Sequence, residues 1–281
     1  MIEWNPSIVA FSLGSFEVRW YSLCWCIGLA LAYVVVYQLY KRQRISQEKF
    51  DPLFLYCFIG ILLGARLGHC LLYEAPYFLS HPIEMLLPIR HLSDGSWKFT
   101  GYSGLASHGG TLGLMIALGL YVRKYKVNLM RVLDNIAIAT PICACFIRLG
   151  NLMNSEIVGK YTGSDFGFIF VQNGDTLPRH PGQLYEAIAY FVFFIIGILL
   201  YRRWKEKVGT GFYFGYCLAT IFSFRFFVEF FKEVQEPWEI TMQQTIGLNQ
   251  GQLLSIPFVA LGLYCLLGGK ACRRLGEQHH S

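Results

Sequence analysis

Seven apolar runs, each about the length a helix needs to cross a bilayer, lie near residues 20–40, 52–73, 105–122, 132–152, 183–201, 210–231 and 252–269. In hydrocarbon no water satisfies backbone N–H and C=O groups, so runs of this length must be helices. The sequence therefore predicts an all-α polytopic membrane protein with about seven transmembrane helices, forming a single integral membrane domain over 1–281. Composition agrees. Of the residues, 54% are hydrophobic and only 15% charged, where a soluble domain carries roughly a quarter charged. Met1-Ile-Glu-Trp opens with an acid and no small-residue cleavage site follows the first run, so no cleavable signal peptide is expected.

Charge orients the runs. Fifteen of the 24 Lys and Arg follow the odd-numbered runs: 41, 42, 44 and 49; 123, 124, 126 and 131; 202, 203, 205 and 207; and 270, 273 and 274. Six lie on the opposite side (Arg19, Arg90, Lys98, Lys160, Arg179, Lys232), and Arg66, Arg148 and Arg225 are inside runs. By the positive-inside rule the N-terminus is external and the C-terminus cytoplasmic. Residues 74–104, broken by Pro76, Pro82 and Pro88, then read as an external interfacial arm. Residues 153–182 form a small external cap in which Phe166-Gly-Phe-Ile-Phe-Val leads to Asn173-Gly174, the signature of a β-hairpin. The nine cysteines read as lipophilic packing residues; each of the two C-x-C pairs splits across a helix and makes no metal clamp.

The three intramembrane arginines raise the functional question, because an uncompensated cation in hydrocarbon is expensive. At 1.5 Å per residue, Arg148 lies roughly 25 Å past Arg131, while Arg66 and Arg225 lie roughly 21 Å from the cytoplasmic ends of their runs. Tyr21, His108, Gln183, Tyr185 and Glu186 stand at the outer starts of theirs, so all are expected at one depth near the outer lipid–water boundary. Arg225 and Glu229, four apart, can also form a self-contained pair. Asp134 is different: near the start of the fourth run, a carboxylate suits the helix dipole. Arginines grouped at headgroup depth suit a phosphate, which the guanidinium grips in a bidentate fork. His108, in Ser107-His-Gly-Gly-Thr-Leu-Gly, adds an imidazole, the side chain suited to general base work near neutrality. Gly109, Gly110 and Gly113 permit close approach of backbone or lipid.

With those residues in place, Arg148-Leu-Gly-Asn-Leu-Met-Asn-Ser-Glu-Ile-Val-Gly159 closely resembles the signature R-x-G-N-x-x-N-x-E-x-x-G of prolipoprotein diacylglyceryl transferases. Further matching segments are RWYSL (19–23), GARLG (64–68) with Tyr73, SHGG (107–110), RHPGQLYEA (179–187) and RFFVEFF (225–231). Two departures stand out: Ser103 precedes Gly104 where the family tends to have paired glycines, and His69 stands where a tyrosine is common.

The resemblance implies an enzyme of the bacterial cytoplasmic (inner) membrane that catalyses the first step of lipoprotein maturation. It would move the diacylglyceryl group of phosphatidylglycerol to the thiol of a lipobox cysteine in the signal peptide of a preprolipoprotein, releasing glycerol phosphate. The partners are then that lipid, those signal peptides and surrounding membrane lipids, with no nucleic acid, cofactor or metal. The catalytic set is His108, Arg148, Arg225 and Tyr21, and the substrate-binding set Arg148, Asn151, Glu156, Gly159, Arg225, Glu229, Arg66, Tyr73 and Gly109. A seven-span receptor or an anion transporter are the rival classes. The first would place its ionisable groups deeper, and the second would place them at the midplane beside broken or repeated helices.

Overall fold

Each of the seven apolar runs is helical over most of its length in the computed structural model, which describes every residue except 15, 88, 93–94, 100–103, 105, 234–241, 243 and 278–281. In chain order the elements are β1 (Ile2–Trp4), β2 (Val9–Leu13), β3 (Phe16–Arg19), α1 (Trp20–Arg42), α2 (Gln47–Leu72), α3 (Ala75–Ser80), α4 (Pro82–Leu86), β4 (Ile89–His91), β5 (Trp97–Phe99) and α5 (Ser107–Tyr125). There follow α6 (Leu129–Met153), β6 (Phe168–Phe170), α7 (Gly182–Arg203), α8 (Phe212–Val228), α9 (Gln250–Leu266) and α10 (Lys270–Glu277).

Length and composition qualify four of these helices to cross a membrane: α1, α2, α6 and α7. A fifth is reached if α9 and α10, bent by 61° at their junction, count as one. The expectation of seven crossings is thus met in part, and the shortfall has local causes. α8 starts only after the left-handed Gly211 and runs 17 residues to Val228, giving about 26 Å of helix against a hydrocarbon core of about 30 Å. α5 has the length, at 19 residues, but opens on Ser107, His108, Gly109, Gly110 and Thr111.

The chain divides into two units, Met1–Leu39 with Met130–Ser281, and Tyr40–Leu129. In the first, α6 is the most enclosed span, with half of its apolar window buried against a sixth for α1. One cluster on it joins Leu39, Ile138, Tyr201 and Tyr213; another joins Cys145, Ala187 and Tyr190. Asp134, fully buried on α6, accepts hydrogen bonds from the backbone N–H groups of Gly209 (2.8 Å), Gly211 (3.0 Å) and Phe214 (2.8 Å). It satisfies donors at the start of α8, where the helix offers unpaired N–H groups, and not those of its own helix.

The external cap is built differently from the expected hairpin. The strand forms, as β6, but its partner is β1, to which it runs parallel with Ile2 opposite Phe168 and Trp4 opposite Phe170. After a 3₁₀ turn over Val171–Asn173, Gly174 takes a left-handed conformation, and the returning chain touches Phe168 only through a bridge at Arg179. β1 lies along one edge of β6, while on the other edge, where a hairpin partner would pair, Phe168 exchanges backbone hydrogen bonds with Arg179 in an isolated bridge. Antiparallel hairpins instead form between β2 and β3 and between β4 and β5.

In the second unit α2 and α5 meet along a glycine seam. A Cβ on Gly109 would collide with the Gly64 carbonyl oxygen, so the two backbones touch where only glycine fits. α3 and α4 pack back onto α2, and Phe78 lies beneath Arg66.

Candidate active site

The stretch that carries the longest sequence signature is the C-terminal end of α6 and the loop beyond it. Arg148 and Asn151 are one turn apart on the helix, and Arg148 Nη1 donates to Asn151 Oδ1 (3.3 Å). Asn151 Nδ2 passes the contact on to Glu156 Oε2 (3.0 Å), whose other oxygen accepts from Asn154 Nδ2 (3.2 Å). Glu156 is held in place by unusual backbone: Ser155 (φ 54°) and Ile157 (φ 57°) on either side are both left-handed. For a β-branched residue such as Ile157 that conformation is a genuine outlier, of the kind that marks functional loops. The loop is clamped by Gln183 Nε2 to the Glu156 carbonyl (2.7 Å), by Asn173 Nδ2 to the Ser155 carbonyl (2.9 Å) and by Trp4 Nε1 to the Leu152 carbonyl (2.9 Å).

Gly159 sits where three chain segments cross. It pairs with Lys232 in a β-bridge, and a Cβ there would stand 2.5 Å from the His180 carbonyl oxygen and 2.7 Å from that of Phe231. Beside it Arg179 donates to the Gly159 carbonyl, to Asp175 and to Glu233. Burial works against the Arg179 cation, but the Asp175 hydrogen bond and the neighbouring negative charges outweigh it and raise the guanidinium above its ordinary value. Tyr21 packs on Gly150, whose Cβ would stand 2.9 Å from the ring, and its hydroxyl accepts from Trp25 Nε1 (3.2 Å).

From Arg148 a line of alternating charges runs to Arg225. Arg148 Nε is 3.1 Å from Glu186 Oε2, and that oxygen is 3.2 Å from Lys232 Nζ. Lys232 Nζ is also 3.0 Å from Glu229 Oε1, and Arg225 Nε stands 3.7 Å from the same atom. Glu186, with no exposed side-chain surface, also accepts from Tyr190 (3.1 Å). Glu229 accepts from Asn249 Nδ2 (3.2 Å). Asn249 is aimed there by a capping box, in which it and Gln252 bond each other's backbone N–H at the start of α9. Three cations thus face two carboxylates. Arg225 is the loosest member: its side chain is 38% exposed, and 3.7 Å is too long for a tight ion pair.

Arg148 is therefore already compensated, by Glu186. From the sequence, Glu186 reads only as a polar group at the right depth and Lys232 as a loop cation. A carboxylate four residues into an apolar helix was the available signal for Glu186. For Lys232 it was the i,i+3 spacing from Glu229.

The remaining candidates lie in the unit Tyr40–Leu129. Arg66 Nη2 donates to the Glu84 carbonyl (2.7 Å) and Nε to the Met85 carbonyl (3.1 Å), so the guanidinium satisfies the end of α4 and fastens residues 74–87 to α2. Tyr73 is exposed and stacked on His69, with ring centroids 5.9 Å apart. Gly109 belongs to the glycine seam. His108, in the first turn of α5, is exposed and lines an apolar groove of about 670 Å³ between α2 and α5. Gly104 (φ 77°) abuts the His69 ring so closely that no Cβ fits, which ties one sequence departure to the place of the other; Ser103 lies outside the described residues. Among the described residues no cluster of three or more His, Cys, Asp or Glu is placed to hold a metal ion.

Comparison with known proteins adds a family. The sequence model described as prolipoprotein diacylglyceryl transferase matches residues 8–267. The phosphatidylglycerol–prolipoprotein diacylglyceryl transferase of Bacteroides fragilis is 57% identical over 263 residues, covering 94% of this chain and 93% of its own. Proteins of the same name from Tolumonas auensis and Porphyromonas gingivalis are 41% and 38% identical, covering 95% of this chain and 97% and 94% of theirs.

Proposed function

Given that this chain belongs to the prolipoprotein diacylglyceryl transferase family, we propose a specific division of labour for its reaction. The enzyme transfers the diacylglyceryl group of phosphatidylglycerol to a prolipoprotein. In the proposed chemistry the acceptor is the thiol of the lipobox cysteine. A base removes the thiol proton, the thiolate attacks the glycerol carbon that bears the phosphate ester, and a thioether C–S bond forms. The C–O bond breaks with its electron pair going to the phosphate oxygen, and glycerol phosphate leaves.

The observation that carries this reading is the condition of Arg225: its side chain is 38% exposed and held only at 3.7 Å, at the end of a line in which three cations directly contact two carboxylates. A phosphodiester is the anion that phosphatidylglycerol brings. Arg225 and Arg148 grip it and stabilise the charge that grows on the leaving phosphate, through groups already oriented before reaction. Glu229 steadies Arg225, Asn151 and Glu156 orient Arg148 and the loop, and Gly159 permits the chain crossing that brings Lys232 alongside. Tyr21, on α1, packs on Gly150 two residues beyond Arg148 and serves the same end of α6. His108 is the base. Arg66 serves substrate binding by holding the 74–87 segment, Tyr73 by presenting an exposed ring at the end of α2, and Gly109 by keeping the His108 end of α5 close to α2.

The chain is a membrane protein. For its placement we favour the bacterial inner membrane, with seven crossings, the N-terminus and the cap at 153–182 outside and the C-terminus in the cytoplasm, on the strength of the basic-residue asymmetry. The deciding experiment incubates the purified protein with phosphatidylglycerol labelled in its acyl chains and a peptide carrying a lipobox cysteine. Thioether-linked lipid on the peptide is the expected product. A labelled lipid that never reaches the thiol would overturn the reaction.

A further inference from the structure

The arrangement around Glu229 assigns Lys232 a role that neither the signature nor the reaction requires. Glu229 is the natural partner of Arg225, four residues earlier on the same helical turn, and such pairs close readily. Here it closes only loosely. Lys232 Nζ takes Glu229 Oε1 at 3.0 Å as a hydrogen bond, Asn249 takes Oε2 at 3.2 Å, and Arg225 is left at 3.7 Å. The lysine is 5% exposed, so its charge is little screened, and its stem runs along Gly182. Its position is fixed from outside the helix, by the bridge to Gly159 and by the hydrogen bonds of Lys160 N to the Phe231 carbonyl (2.8 Å) and Glu233 N to the Val158 carbonyl (3.4 Å).

We propose that Lys232 is a positioning residue of the phosphate clamp: by occupying Glu229 it keeps Arg225 free for the anion of the donor lipid. It also bridges Glu229 to Glu186, so the two carboxylates that steady the two arginines share one cation and do not repel each other. Without the ammonium, Glu229 turns its full charge on Arg225, the pair closes, and the surplus positive charge disappears. The strength available for such a capture is that of a charge-assisted bidentate pair in a poorly solvated site.

This inference rests on the phosphate-clamp reading of Arg225, and a set of variants separates the two. In Lys232→Met the KM for phosphatidylglycerol should rise about tenfold or more, and inhibition by glycerol phosphate should weaken in step, while kcat changes less. Lys232→Arg, which keeps a cation between Glu229 and Glu186, should retain most of the wild-type KM. Lys232→Gln, which keeps a donor without the charge, should raise KM as Lys232→Met does, and it carries the comparison if Lys232→Met does not fold. A purely structural lysine predicts losses that follow the thermal midpoint of each variant and not its charge. A Lys232→Arg variant no better than Lys232→Met, or a Lys232→Met variant with an unchanged KM, overturns the role of Lys232. A wild-type enzyme that moves no lipid overturns the parent reading, and this inference with it.

Discussion

Glu186→Gln tests the claim that Arg148 is compensated by protein before any lipid arrives. The carboxylate is fully buried, with Arg148 Nε at 3.1 Å and Lys232 Nζ at 3.2 Å from one oxygen and the Tyr190 hydroxyl at 3.1 Å from the other. At an effective dielectric of about 20, each of those two contacts is worth roughly 5 kcal/mol of Coulomb attraction before desolvation is counted. Net of desolvation, removing one partner of a buried ion pair costs about 3–5 kcal/mol, because the other charge is stranded. Glutamine keeps the size and the Tyr190 contact, so the loss is almost wholly charge. The two cations would then repel across the vacated anion and Arg148 would leave its place beside Asn151. Two readouts follow: a lower thermal midpoint of the detergent-solubilised protein, and kcat/KM for lipid transfer down by about 10² to 10³, the usual loss for one misplaced charge-stabilising group. Wild-type activity together with wild-type stability would refute the reasoning. It would mean that Arg148 finds its counter-charge elsewhere.

Other outcomes are expected from the same site and its supports. Arg148→Lys, which keeps the charge but loses the fork, should cut transfer severely while leaving membrane insertion intact, as checked by turnover per inserted molecule. His108→Gln should cost much more rate at neutral pH than at high pH, where the acceptor thiol ionises unaided; an equal loss at both would make His108 a lipid-positioning group. Asp134→Ala should strand three backbone N–H donors at the start of α8, at roughly 1–3 kcal/mol each, read as a lowered unfolding midpoint. A reporter fused after Arg274 should behave as cytoplasmic and one inserted within 160–182 as external; the opposite result removes the proposed topology.

What could be read from the sequence was what local physics decides. Helices appear at all seven apolar runs because hydropathy over twenty residues needs no knowledge of partners. The Arg148–Glu156 chain was legible for the same reason, since its members lie within nine residues and one turn of helix plus a loop joins them. Pairings across long separations were not. β6 reads as half of a hairpin because Asn173-Gly174 follows it, yet its ladder partner is the chain's second to fourth residues. Asp134 reads as a carboxylate suited to the dipole of its own helix, and what the sequence does not show is that its oxygens accept from Gly209, Gly211 and Phe214. Arg66 stands at the expected depth, but that its guanidinium also donates to the carbonyls at the end of α4 was not legible from depth alone. The same limit hid Lys232, whose meaning depends on Glu186, 46 positions earlier.

Charge compensation was the question that Arg148 posed, and its answer changes what the donor lipid must supply. A clamp whose arginines awaited phosphate would bury uncompensated cations in the empty enzyme, at a desolvation cost of several kcal/mol per ion. Here Glu186 and Glu229 neutralise two of the three cations, so the unit Met1–Leu39 with Met130–Ser281 holds its site together without ligand. Full neutralisation would leave nothing to attract an anion. The odd cation resolves the conflict: with Lys232 shared between the two carboxylates, the surplus falls on Arg225, the most exposed member of the line. In the proposed clamp, phosphate completes this charge array. In that proposed clamp, release of glycerol phosphate returns the array to its starting state, and donor binding then depends on how loosely Glu229 holds Arg225.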